Sequence, residues 1–173
     1  LVGIDKIKEK EQLLPMKGLW AIQNGSIRQL LPDSQQSALL FQPFLKKGEI
    51  RFKATVENGE EGVRVLFGFT SPNRYFIWNI GGWGNNVSVV EKRTSIHDNE
   101  YEFISEKKQF TFKHEEQHEI RLIIDSVAKT ARGFVDGGEI MNLQASEPLE
   151  GRVGLSTWNT VARFEGIEVE GLE

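Results

Sequence analysis

Apolar and polar residues alternate along most of the chain, and this period of two predicts β-strands. Turn signals such as Asn24-Gly25, Ser71-Pro72-Asn73 and Asp136-Gly137 separate the alternating segments. Helical signal is weak: residues 5–14 and 115–118 predict a turn or two each, without an apolar stripe. The predicted strands cover residues 19–22, 26–30, 38–41, 50–56, 63–69, 75–80, 87–92, 110–113, 120–125, 132–135, 153–157 and 163–169.

Many short strands with frequent turns are typical of an all-β antiparallel sandwich or barrel with little helix. Some of the predicted strands carry large apolar residues on both faces, as in Leu66-Phe67 and Ile77-Trp78. Because a sandwich buries only one face of each sheet, such strands are expected at the centre of a sheet. Their second face then lies under loops or lines a concave surface that holds a ligand.

Composition limits the classes of protein that the chain can belong to. Its 173 residues fit one domain, predicted to span 1–173, and the net charge of −4 argues against a nucleic-acid partner. No apolar run approaches the roughly 20 residues that span a bilayer, so no membrane partner is expected. Cysteine is absent, which excludes disulfides and thiolate chemistry. The first residue is Leu1 and not Met, so we expect a processed chain or a domain of a longer protein.

Aromatic, amide and glycine residues are concentrated in one segment, 75–86. Aromatic rings stack on the C–H faces of sugars, amides pair with vicinal hydroxyls, and glycines permit close backbone approach. The segment therefore predicts a saccharide site, with Trp83 on the surface or rim. The alternative is a tight turn or bulge with its tryptophans in the core, and for Trp78 both interpretations stay open. Trp20 and Trp158 are predicted to be structural, although a rim position is open for Trp158.

Catalytic and metal-binding patterns are not evident in the sequence. Glycoside hydrolysis needs two carboxyl groups that face each other, and no context distinguishes the acids Glu91, Glu100, Glu102, Asp125 and Asp136. His114 and His118 have the spacing of a helical metal pair but lack the rest of a zinc motif. We therefore predict no catalytic residues, no metal ligands and no cofactor. A structural calcium ion stays open, because sites built from backbone carbonyls leave no sequence pattern.

Three segments carry a resemblance to known proteins: 62–69, 73–85 with its Trp-Asn-Ile-Gly-Gly-Trp-Gly-Asn run, and 90–92. With the opening hairpin at 20–29 and the closing strand at 162–169, they resemble an accessory domain of bacterial α-L-arabinofuranosidases. That domain belongs with the concanavalin A-like, laminin G-like jelly rolls, a group that includes keto-disaccharide hydrolase-like domains. The resemblance covers most of the chain from Trp20 onward and implies a sandwich of two antiparallel sheets.

The resemblance also implies a function. The chain is expected to be a non-catalytic carbohydrate-binding module of a glycoside hydrolase that binds plant-type polysaccharide such as arabinoxylan or arabinan. Its expected partners are a polysaccharide or oligosaccharide and the catalytic domain of the same parent chain. The expected location is secreted or on a bacterial cell surface, with a cytoplasmic location left open.

The site residues expected under this hypothesis fall into three groups. They are the ring platforms Tyr75, Trp78 and Trp83, the hydroxyl partners Asn79, Asn85 and Glu91, and the bidentate donors Arg64 and Arg74. Two alternatives remain: a structural spacer that packs on a catalytic domain, and a glycoside hydrolase of the keto-disaccharide hydrolase-like type.

Overall fold

The computed structural model describes residues 2–3, 13–95 and 100–171, and nearly all of them lie in or between β-strands. Residues 5–12 of the predicted helical segment lie outside this part of the chain. The elements are β1 (Val2–Gly3), β2 (Leu13–Lys17), β3 (Trp20–Gln23), β4 (Ser26–Gln29), β5 (Ser37–Leu45), β6 (Lys47–Gly59), β7 (Val63–Ser71), β8 (Arg74–Gly81), α1 (Gly82–Asn85), β9 (Val87–Arg93), β10 (Tyr101–Phe103), β11 (Lys108–Gln109), β12 (Gln117–Asp125), β13 (Thr130–Val135), β14 (Gly138–Gln144), β15 (Gly151–Thr157) and β16 (Thr160–Gly171).

The strands form two antiparallel sheets that pack face to face. The first sheet has the order β14-β13-β12-β6-β16-β4-β3, with β1 beside β16. The second sheet has the order β10-β9-β8-β7-β15-β5-β2, with β11 beside β9. Each sheet combines consecutive strands, such as β7 to β10, with neighbours that are distant in sequence, such as β6 beside β16 and β7 beside β15, as expected for a jelly roll in which the chain crosses between sheets. The predicted all-β sandwich is confirmed.

The core lies between the sheets and is built from alternate residues of each strand. Trp78 on β8 is among its largest fully buried side chains, and its indole Nε1 donates to Ser88 Oγ at 3.0 Å. Gly133 on β13 of the facing sheet leaves the space that the indole ring occupies. The core interpretation of Trp78 is therefore the one that holds.

The outer face of the second sheet is also buried at its centre. Leu66 on β7 lies between Ile77 on β8 and Gly154 on β15, and Leu40 on β5 is paired with Gly154. Leu40, Leu66 and Ile77 belong to a small apolar cluster that is separate from the main core. Strands β7 and β8 therefore bury both faces, which explains their lack of polar alternation.

Three predictions about local structure are wrong: the strand at 110–113, the helical turn at 115–118, and the helical segment 5–14, whose residues 13–14 lie in β2. Strand β14 was not predicted, although Met141 and Leu143 alternate with polar residues along it. The predicted strand at 110–113 has no backbone ladder; Asn85 Oδ1 instead accepts from the Phe112 N–H at 2.8 Å. The predicted helical turn at 115–118 runs into β12, where His118 Nδ1 lies 2.6 Å from Asp136 Oδ2.

A test of the core concerns Gly133. An alanine Cβ at this position would lie 2.6 Å from the Trp78 ring, so Gly133→Ala should destabilise the fold by about 1–3 kcal/mol through overpacking. Gly138 is the matched control on β14, where the nearest atom to an added Cβ is the Val135 carbonyl oxygen at 3.5 Å. Urea unfolding should show a lower midpoint for Gly133→Ala and an unchanged one for Gly138→Ala; equal midpoints would contradict this packing.

Candidate functional site

Antiparallel register brings polar residues from three strands onto the outer face of the second sheet. Residues that pair directly across two strands project from the same face. Arg64 on β7 pairs with Asn79 on β8, and Tyr75 on β8 pairs with Arg93 on β9. Glu91 lies two residues before Arg93 and therefore shares its face. These side chains converge next to the apolar cluster described above.

Two arginines share one carboxylate in this group. Glu91 Oε1 lies 2.9 Å from Arg64 Nη2 and 2.6 Å from Arg93 Nη2, and Arg64 Nε donates to Asn79 Oδ1 at 3.0 Å. Arg64 is 3% exposed and Glu91 is 0% exposed. Burial lowers the pKa of the Arg64 guanidinium, and the Glu91 carboxylate opposes that shift.

The network is incompletely paired. Arg64 Nη1 and Glu91 Oε2 are both buried and have no hydrogen-bond partner. Because an unpaired buried polar atom costs about 1–3 kcal/mol and more when charged, such atoms in a folded protein call for a physical explanation.

A cavity of about 190 Å³ opens over these polar residues. Trp83 and Tyr101 on its wall are 39% and 40% exposed, and the Arg64 guanidinium lies 5.7 Å from the Trp158 ring centroid. The cavity therefore combines charged groups with aromatic walls, the composition that binds ring-shaped polar ligands. Its lining residues are Glu61, Arg64, Asn79, Trp83, Glu91, Arg93, Tyr101 and Trp158.

The turn α1 holds Trp83 in a strained backbone conformation. Trp83 has φ 48° and ψ 66°, in the left-handed region that bulky residues rarely adopt. The turn is fixed from outside: the Asn85 side chain exchanges two hydrogen bonds with the Phe112 backbone, and Glu61 Oε1 accepts from the Gly84 N–H. Burial raises the pKa of Glu61, against the opposing charge of Arg64 and this hydrogen bond. Strain retained by so many constraints is often found at functional sites.

Four of the expected site residues line this cavity: Arg64, Asn79, Trp83 and Glu91. The other four lie elsewhere. Their positions are as follows: Trp78 is in the core, Tyr75 is 3% exposed with its hydroxyl donating to the Ser95 carbonyl, Asn85 binds the Phe112 backbone, and Arg74 binds Glu147 and the Pro148 carbonyl.

Trp78 and Tyr75 cannot be open ring platforms, because both are buried. The same strand supplies both the core and the outer face, and a tryptophan three residues after a tyrosine points to the opposite side of the sheet. Asn85 and Arg74 do not line this cavity; Asn85 binds the Phe112 backbone, and Arg74 binds Glu147 and the Pro148 carbonyl.

Sequence reasoning missed four lining residues: Glu61, Arg93, Tyr101 and Trp158. The period of two could have found Arg93, which follows Glu91 on the same face of β9. Nothing in the sequence signals Tyr101, because its place depends on β10 pairing with β9. Trp158 was predicted to be structural, with a rim position left open, and the structure places it in the cavity wall.

The described residues lack both a metal-ligand group and a membrane-spanning helix. Residues 2–3, 13–95 and 100–171 contain no group of three or more His, Asp or Glu side chains able to hold a metal ion. Within the same ranges, no helix has the length and apolar character needed to cross a membrane.

The fold places the chain among the lectin-like jelly-roll β-sandwiches. No protein-family model matches the chain. It is 35% identical over 78 residues to an extracellular exo-α-L-arabinofuranosidase of Streptomyces chartreusis, which is 43% of this chain and 9% of that relative. The match therefore spans about a tenth of the relative's length.

Solved structures with the same fold include carbohydrate-binding proteins. The carbohydrate-binding module CBM66 from Bacillus subtilis superposes with a TM-score of 0.77 at 14% identity, covering 92% of this chain and 96% of that one. A legume lectin-like domain from Entamoeba histolytica superposes with a TM-score of 0.64 at 11% identity, covering 94% of this chain and 91% of that one. At these identities the likeness establishes the fold.

The buried ion pairs of Glu91 with Arg64 and Arg93 lead to a prediction about the stability of the fold. Glu91→Gln removes the charge that balances Arg64 and Arg93, so it should lower the free energy of unfolding by on the order of 3 kcal/mol. Glu102→Gln on the neighbouring strand β10 is the control, because Glu102 is exposed. Similar thermal midpoints for the two variants would contradict a structural role for the Glu91 charge.

The backbone strain at Trp83 can be measured by comparing two variants that both remove the indole. Glycine adopts the left-handed region freely, whereas alanine keeps about 1–2 kcal/mol of strain there. Trp83→Gly should therefore unfold at a higher denaturant concentration than Trp83→Ala. The reverse order would show that position 83 is not strained.

Proposed function

We propose that the chain is a non-catalytic carbohydrate-binding module and that its cavity takes one glycosyl unit at the end of a neutral glycan. The observation that carries the proposal is the cavity itself, whose lining combines Arg64 and Glu91, each with an unpartnered buried polar atom, with the exposed aromatic residues Trp83 and Tyr101. The shared fold with carbohydrate-binding modules and lectins supports the same conclusion.

The chemistry of the floor favours a polyol. Arg64 Nη1 is a donor and Glu91 Oε2 is an acceptor, and both lack partners. A sugar hydroxyl both donates and accepts, so adjacent hydroxyls match a lining that offers both a guanidinium donor and a carboxylate acceptor. Asn79 beside them fixes the Arg64 guanidinium and so orients the donor.

The charge balance favours a neutral sugar. Two arginines, Arg64 and Arg93, and two glutamates, Glu61 and Glu91, line the cavity. Their formal charges cancel, so a ligand carboxylate would gain no net attraction and would leave the Glu91 acceptor unpaired. A cavity of about 190 Å³ matches a single ring better than a chain lying across it.

Aromatic stacking completes the proposed contact. Trp83 is the member of the predicted segment that stays exposed at the cavity. Burying a sugar face against such a ring contributes about 1–3 kcal/mol, and a site of this size should bind one ring weakly. Trp158, held near Arg64, is a second surface for the same ring.

The sequence relative supports a proposal for the class of glycan ligand and for the location of the module. We propose plant-type polysaccharide such as arabinan or arabinoxylan, since the aligned protein is named an extracellular exo-α-L-arabinofuranosidase. On the same ground we propose an extracellular location and a catalytic domain elsewhere in the parent chain as partner.

The two alternative functions have less support. A spacer would use Trp83 and Tyr101 in a domain interface, but it gives no reason for unpartnered charged atoms beneath them. A glycosidase needs two carboxyl groups: one transfers a proton to the leaving group, and the other attacks the sugar or activates a water molecule. Glu91 is held by two arginines, which suits a fixed hydrogen-bond acceptor better than an acid.

Affinity electrophoresis against arabinan, arabinoxylan, galactan and fructan tests the proposal, with polygalacturonate as the charged comparison. The folded wild-type chain should be retarded by at least one neutral polysaccharide and not by polygalacturonate. Trp83→Ala should weaken binding by about tenfold, the value of one buried aromatic contact.

Leu19→Ala is the control variant for that experiment, since Leu19 is an exposed apolar residue outside the cavity. Its retardation should equal that of the wild type. No retardation of the folded wild type by any glycan would refute the proposed function and favour the spacer.

A further inference from the structure

Three aromatic side chains form a cluster at one side of the cavity, which we call the aromatic rim: Trp83, Tyr101 and Phe103. Their ring centroids lie 5.8 Å (Trp83–Tyr101), 5.1 Å (Trp83–Phe103) and 5.0 Å (Tyr101–Phe103) apart. Trp83 and Tyr101 also line the cavity, whereas Phe103 does not. The rim thus begins at the cavity and continues away from it along the edge strand β10.

Register explains why the rim faces the same way as the cavity floor. Tyr101 pairs with Arg93 and Phe103 pairs with Glu91 across β10 and β9. Because directly paired residues share a face, both rings continue the rows that contain the buried ion pairs. The pairing of β10 therefore extends the site by one strand beyond the charged network.

Trp83 and Tyr101 of the rim are exposed and Phe103 is half-buried, and all three rings are held in place. Trp83 and Tyr101 keep 39% and 40% of their surface open. The Arg93 guanidinium lies 5.1 Å from the Tyr101 ring centroid, and Lys107 Nζ lies 4.4 Å from that of Phe103. Edge-to-face and cation–π contacts restrict the rings without covering them. An ordered, open aromatic surface is pre-organised for a flat apolar ligand face, because little side-chain entropy is lost on binding.

We propose that the aromatic rim is a second saccharide subsite, which stacks the ring next to the one held in the cavity. This inference rests on the proposed function and adds to it the class of ligand: an oligosaccharide chain of at least two neutral rings, bound by its end. The cavity supplies hydrogen bonds to the terminal ring, and the rim supplies apolar contact to the neighbouring ring through Tyr101 and Phe103.

The proposal predicts a dependence of affinity on ligand length. Methyl α-L-arabinofuranoside and linear α-1,5-arabinotriose are the two probes, titrated by calorimetry into the folded chain. The wild type should bind the trisaccharide about tenfold more tightly than the monosaccharide, as expected for one further stacked ring. Tyr101→Ala and Phe103→Ala should bring this ratio close to one.

Phe44→Ala is the matched control. Phe44 is an exposed aromatic on β5, five strand spacings or about 24 Å from β10 across the second sheet. The variant should keep the wild-type ratio. A purely structural role for Tyr101 would lower both affinities by the same factor and leave the ratio unchanged, and that result would overturn the second subsite.

Two further outcomes are separable. A wild-type ratio near one, with measurable binding of both probes, would overturn the second subsite and leave the proposed function standing. Absence of binding to both probes would refute the proposed function for arabinose-containing glycans, and the second subsite with it.

Discussion

The sharing of one buried carboxylate by two arginines is the interaction on which the outer face of the second sheet depends. Glu91 neutralises Arg64 and Arg93 in a place where an unpaired charge would be too costly to fold. Arg64 lies on β7, whereas Glu91 and Arg93 both lie on β9, and β8 lies between these strands. Their contact therefore requires the register of β7, β8 and β9. A slip of one residue would turn all of them into the core and would turn Trp78 outward.

The two sheets differ in the environment of their outer faces. The outer face of the first sheet carries solvated ion pairs, such as Arg51 with Glu168 and Arg132 with Glu139. Each exposed pair contributes about 0–1 kcal/mol and keeps the surface polar. The second sheet instead has an apolar cluster, a buried charged network and open aromatic rings on its outer face. This asymmetry is the reason that the proposed saccharide site lies on the second sheet.

The sequence predicted the fold well and the site in part. The alternation of apolar and polar residues predicted most strands, because a strand with one buried face carries an apolar residue at every second position. It misassigned 110–113, where a side-chain amide of Asn85 replaces the backbone ladder. The segment 75–86, singled out by its composition, contributes Asn79 and Trp83 to the cavity, but its composition could not separate Trp83 from Trp78, which is in the core.

By itself, the sequence determined the β-sandwich class, the turns, and a polar and aromatic segment suited to a sugar, since these follow from local periodicity and residue chemistry. Only the tertiary structure decided which side chains meet. Arg64 on β7 and Trp158, which follows β15, come to the cavity from distant parts of the chain because β7 pairs with β15. The physical reason is that antiparallel pairing between strands distant in sequence sets the neighbours of each residue, and no local pattern encodes that pairing.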